Sequence, residues 1–180
     1  ETLETIKRDW DATKSLELSS LMNKVTPLVK TTISTSAANF RFSPDQTKIL
    51  YEATSSANLP LVRTSYLPGS IPTPENRHLE PGKTYVYDSK EDKNFLVESC
   101  SYGTTTRCVW FPSSRHILSY TTGEISIMEY DGTNPSVIYG GPFVPGVVYP
   151  WPNWGKIVIL TSLNTALESS DQNLNTLNLR

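Results

Sequence analysis

The first 25 residues carry apolar side chains at helical spacing. Leu3, Ile6 and Trp10, then Leu18, Leu21, Met22 and Val25, recur three, four and seven residues apart, with Lys, Arg, Asp and Glu between them. This predicts a helix that stops at Thr26-Pro27, because the residue before a proline is pushed out of the helical region. Lys14 and Glu17 interrupt the stripe, so the helix should bend or pack only in part. Its polar face mixes both signs, unlike the basic face of a membrane-surface helix, and its expected role is to cover a sheet edge. Residues 1–37 are read as this helix and a linker.

From residue 38 onward the pattern changes to short β segments with turn punctuation. Three stretches, 39–51, 109–118 and 148–159, align without a gap on Pro44, Pro112 and Pro152. Each has a bulky approach, a proline-led turn, and a basic or imidazole residue four positions on (Lys48, His116, Lys156). A strand opening on Ile49, Ile117 or Ile157 follows. Pro112 and Pro152 lie 40 residues apart, the usual length of a four-stranded propeller blade. Pro44 and Pro112 lie 68 apart, an excess of 28. Residues 54–82 account for it: they hold Pro60, Pro68, Pro72, Pro74 and Pro81, five of the 13 prolines. So many missing N–H donors do not suit a sheet interior, and the stretch reads as a long inserted loop.

The second half of each unit also recurs. Thr84-Tyr85-Val86-Tyr87-Asp88, a polar turn and Phe95-Leu96-Val97 have a counterpart in Ile125 to Asp131, a turn through Gly132, and Val137-Ile138-Tyr139. The third copy is degraded, with a polar loop at 166–173 before an apolar strand at 174–179. The expected fold is therefore all-β, about three four-stranded β-propeller blades over residues 38–180 with an N-terminal helix. Propellers close with about four or more blades, and a blade buries its faces only against neighbours. Three blades form a partial propeller. The remaining blades are expected from missing upstream sequence, the leading alternative, or from a second chain.

The phrase Phe42-Ser43-Pro44-Asp45 followed by Lys48-Ile49-Leu50-Tyr51, with a later strand closing on Tyr87-Asp88, resembles the TolB-like (WD40-like) propeller repeat of bacteria. The run from Ile6-Lys7-Arg8-Asp9-Trp10 through Ser34-Thr35-Ser36-Ala37 is similar to the C-terminal region of bacterial envelope proteins that join a PEGA domain to such a propeller. Leu67-Pro68-Gly69-Ser70 and Asp131-Gly132-Thr133-Asn134 share that similarity. Ser113-Ser114 and Asn153-Trp154 depart from the Asp-Gly that the family favours after the proline. The resemblance implies a non-enzymatic scaffold of the cell envelope that binds protein or glycan. It also admits the accessory propeller of a peptidase or hydrolase whose catalytic domain lies elsewhere. The chain opens at Glu1 inside a helical pattern, so upstream sequence is expected to carry any targeting segment or membrane anchor.

Composition narrows the chemistry. With 37% hydrophobic and 19% charged residues the chain is globular, and a net charge of -2 argues against a nucleic-acid surface. No apolar run is long enough to span a membrane. No nucleophile elbow, P-loop or zinc-protease motif is present, so we expect no enzyme activity, cofactor or metal. His116 falls at the Lys48 and Lys156 position and reads as an exposed turn residue, while His78 sits beside Arg77 in the insertion, where the pair could contact a ligand. Asp88 and Asp131 read as turn caps, and Asp88, Glu91 and Asp92 as part of a solvated charged turn. Cys100 and Cys108 bracket the connection between the first two blades; a disulfide, at home in an exported protein, and two buried free thiols both fit. Tyr149, Trp151 and Trp154, with Phe143 nearby, are either a stacking platform at the rim or wedges between blades.

Overall fold

A stripe that is apolar only in places makes a helix that packs only in places. The computed structural model describes residues 2–65, 67–100, 107–152, 155–161 and 172–179. Its first helix, α1 (Leu3–Met22), leaves Leu3 and Trp10 exposed and buries Leu21 and Met22. Pro27 then opens a second helix, α2 (Pro27–Ser36), where a fixed φ and a missing N–H suit the first turn. The stretch expected to be a linker is therefore helical. Its Thr-rich composition disguised this, since β-branched residues lower helix propensity. The hydroxyls of Thr31, Thr32 and Thr35 donate back to the carbonyls of Pro27, Leu28 and Thr31. Val29 and Ile33, one turn apart, are fully buried.

Three antiparallel sheets follow in chain order. The first contains β1 (Ala37–Phe42), β2 (Lys48–Ala53), β5 (Thr84–Asp88) and β6 (Lys93–Leu96). Between β2 and β5 the insertion forms a two-stranded ribbon, β3 (Ala57–Asn58) with β4 (His78–Leu79). The second sheet is the meander β7 (Arg107–Trp110), β8 (His116–Thr121), β9 (Glu124–Glu129) and β10 (Ser136–Gly140). The third has three strands among the described residues: β11 (Val148–Pro150), β12 (Lys156–Thr161) and β13 (Asn173–Asn178). The polar loop expected at 166–173 lies mostly outside the described residues.

The proline register is visible in the backbone. Ser43 N–H donates to Lys48 C=O at 2.9 Å, Phe111 to His116 at 2.9 Å and Trp151 to Lys156 at 2.8 Å, the same bond three times. Gln46 and Ser114, each two residues past the proline, both take a positive φ. The Tyr-Asp match is displaced, however. Lys48 pairs with Asp88, whereas its equivalent His116 pairs with Glu129, so Asp131 lies two residues past the counterpart of Asp88. A slip of two keeps every side chain on its face, so hydrophobic periodicity does not register it.

Strands buried on both faces stack the sheets. Ile49, Tyr51, Tyr85 and Tyr87 face Val29 and Ile33 of α2, with Leu59 and Leu79 of the insertion closing the same core. Leu50, Val86 and Phe95 point the other way, onto Trp110, Ile117 and Met128 of the second sheet. Leu118, Tyr120 and Ile125 leave that sheet by its far face and meet Val148, Ile157 and Ile159 of the third. The order is helix, sheet, sheet, sheet. Polar ties lock the first interface: Trp110 Nε1 donates to Arg41 C=O at 2.8 Å, and Tyr130 OH to Asp88 Oδ2 at 2.9 Å. Gly132 sits there at φ +83, and a Cβ would stand 2.8 Å from the Leu96 carbonyl oxygen, so the turn admits only glycine without a shift.

Candidate functional site

Antiparallel order brings the β1–β2 and β5–β6 turns to one end of the first sheet and the β7–β8 and β9–β10 turns to one end of the second, and bonds between the two ends join them in a rim. In the first turn, Asp45 Oδ1 accepts from Ser43 Oγ at 2.6 Å and from the Thr47 N–H and hydroxyl at 3.1 and 2.9 Å. Partial burial works against ionisation of Asp45. These bonds and Lys48 Nζ at 3.6 Å outweigh it and hold the carboxyl at about 2. Asp45 N–H also donates to Ser114 Oγ in the second turn at 2.9 Å, tying neighbouring turns together.

The β5–β6 turn is the receptor of the insertion, which corrects its reading as a solvated charged turn. Asp88, Asp92, Lys93 and Asn94 are buried. Asp88 Oδ1 caps the turn, accepting the N–H groups of Lys90 and Glu91 at 2.8 and 3.0 Å. Asp92 Oδ2 accepts the N–H groups of Val62 and Arg63, both at 2.7 Å, and Glu91 Oε2 that of Ile71 at 3.0 Å. Asn94 Nδ2 donates to Asn76 C=O at 2.7 Å and its Oδ1 accepts the Tyr51 hydroxyl at 2.8 Å. Asp131 reaches across from the second sheet, its Oδ2 accepting from Thr73 Oγ1 at 2.5 Å. Burial raises the Tyr87 and Tyr130 hydroxyls well above the ordinary phenol value, and their donation to Asp92 and Asp88 adds to it. A cluster of carboxylates and amides larger than a tight turn requires was the available sequence signal for this receptor.

Pinned at its base, the insertion leaves residues 61–65 and 67–69 exposed, including Leu61, Val62, Arg63 and Leu67. Arg77 serves the base. It donates to Pro60 C=O at 2.8 Å and to Asp92 C=O, and pairs with Asp92 Oδ2 at 3.4 Å. Its buried Nε meets Glu75 Oε2 at 2.9 Å in an ionic contact outside hydrogen-bond alignment. His78 is exposed, its Nδ1 2.9 Å from Asn58 Oδ1 across the ribbon. The side chains of Arg77 and His78 are thus occupied in holding the insertion together.

Aromatic candidates separate by face. Phe143 is a wedge, buried against Tyr120 and Tyr139 in edge-on contacts. Tyr149 and Trp151 are 59% and 48% exposed and lie over the far face of the third sheet, while Trp154 lies outside the described residues. Cys100 and Cys108 are joined in a buried disulfide that links the end of the first sheet to the start of the second.

Ser113 Oγ and His116 Nδ1 lie 2.9 Å apart, but the same oxygen accepts the Arg115 N–H and the ring rests edge-on to Phe111. The half-buried His116 closes its turn against Ser113 as Lys48 does against Asp45 in the first repeat. Among the described residues no group of His, Cys, Asp or Glu is placed to hold a metal ion. No helix among them is long and apolar enough to cross a membrane. The chain matches no known protein-family model and no curated protein.

Proposed function

We propose that this chain is a non-enzymatic binding and scaffold segment of a bacterial cell-envelope protein, its three sheets being blades of TolB-like propeller type. On this reading the further sheets come from upstream sequence or from a second chain. The observation that carries this reading is the rim: repeated turns present one surface, and the insertion stands on it with a rigid base and an exposed apolar tip. A loop held by five or more hydrogen bonds at its base loses little further entropy when its tip engages a partner. Leu61, Val62 and Leu67 with the adjoining Pro68 suit an apolar peptide surface or a sugar face, and the Cys100–Cys108 disulfide suits an oxidising, extracytoplasmic compartment.

Photo-crosslinking from position 62 in bacterial cells tests both parts of the reading. The expected product is one defined envelope protein or glycan, lost when residues 61–69 are replaced by Gly and Ser. Capture of cytoplasmic proteins, or capture unchanged by the replacement, overturns the reading.

A further inference from the structure

Each of the first two sheets turns one face toward the sheet that follows it, and on the third sheet the equivalent face has no sheet over it among the described residues. The turn bond from Ser43, Phe111 and Trp151 to Lys48, His116 and Lys156 fixes the equivalence. Counted from it, Val158 stands where Leu50 and Leu118 enter the two inter-sheet cores. Trp151 occupies the place of Phe111, which packs against the third sheet. Tyr149 occupies the place of Val109, which does the same, and of Arg41, whose Nη1 donates across to Cys108 C=O at 2.5 Å. Leu160 answers to Tyr120, and Leu174, paired with Leu160, answers to Ile125, paired with Tyr120. Ile125 is fully buried, whereas Leu174 is 69% exposed. Positions that build the core between the second and third sheets, one of which (Leu50) also builds the core between the first and second, thus recur on the third sheet without a described cover.

We propose that this face is an interface between two copies of the chain, the third sheet of one lying on the third sheet of the other. Among the described residues the opposite end of the stack offers no open sheet, because α2 and the insertion occupy that face of the first sheet. The sheet face that a second copy can present is therefore this same one. Its chemistry is self-complementary: five apolar side chains surround the neutral Thr176, and the one charge among the described residues of the face is Lys156 at its margin. A recess of about 220 Å³ between Trp151 and the strand residues Lys156 and Thr176 can receive a bulky side chain of the partner. Packed sheets interdigitate across about 10 Å at a shallow angle, and a two-fold axis satisfies both faces at once and closes the assembly at two copies. The inference rests on the repeat register and is independent of what the insertion binds.

Sedimentation equilibrium of the 180-residue protein through the micromolar range tests it. The expected mass is that of two 20.1 kDa chains. Leu174→Asp and Tyr149→Asp should each weaken association by at least about thirtyfold while circular dichroism keeps the secondary structure of the parent. Trp151→Ser, which lies outside the strands, serves as the third variant should either charge unsettle the sheet. A monomer at every concentration overturns the proposal, as does a dimer that all three variants leave intact. A photo-crosslinker at position 174 that captures a different protein or a different surface of this chain also overturns it. Since none of these variants touches residues 61–69, loss of dimerisation and loss of capture from position 62 are read separately.

Discussion

At the scale of single residues, the buried polar groups of the β5–β6 turn are specified in detail and matched one by one. Asp88 illustrates it: one oxygen caps its own turn and the other takes the Tyr130 hydroxyl from the neighbouring sheet. The capping role of Asp88 and Asp131 was legible, because Asp is a preferred turn residue and both precede polar turns. The second partner was not, because the donors Tyr130 and Thr73 lie 42 and 58 residues away in sequence. Asp45 yields a pH prediction. Its folded value near 2 lies below its ordinary 3.8, so the unfolded chain takes up the proton first. The stabilisation is fully present above about pH 4 and is lost as pH falls towards 2. Thermal melts between pH 5 and 2 should show a smaller acid loss for Asp45→Asn than for the parent protein; identical pH profiles would contradict the assigned bonds.

At the scale of elements, β-hairpins were more legible than helices. Three proline turns at matching positions encode the β1–β2, β7–β8 and β11–β12 hairpins locally, and the backbone repeats the same bond in each. The insertion's location was legible for a similar reason, since prolines exclude themselves from sheet interiors. What it touches was not, because Asp92 and Asn94 look like solvated turn residues until a distant loop lies over them. Helix α2 was missed because Val29 and Ile33 are only two apolar positions in a Thr-rich run, and its stability comes from the sheet beneath. Ile33→Ala should therefore cost about 2–5 kcal/mol in urea unfolding, the range for truncating a fully buried isoleucine. Leu3→Ser on the exposed part of α1 should change stability by less than about 0.5 kcal/mol. Equal effects of the two substitutions would mean that α2 is not what covers the first sheet.

At the scale of the molecule, the chain is a succession of packed sheets whose two ends differ. One end is sealed by α2 and the insertion; the other presents Tyr149, Val158, Leu160 and Leu174. The count of sheets could be read from the 40-residue spacing and the 28-residue excess. The sealed end could not, because it depends on a helix that the pattern leaves as a linker. The disulfide joins the first two sheets of this stack, and the second and third share an apolar core. Everything larger, the rim and the open face alike, depends on the third hairpin being a true copy of the first two. Amide hydrogen exchange at Ser43, Phe111 and Trp151 tests this most directly, since each N–H makes the equivalent turn bond. All three amides are expected to exchange far more slowly than an unstructured peptide. Protection at Ser43 and Phe111 with free-peptide exchange at Trp151 would contradict the repeat, and with it the face on which two copies meet.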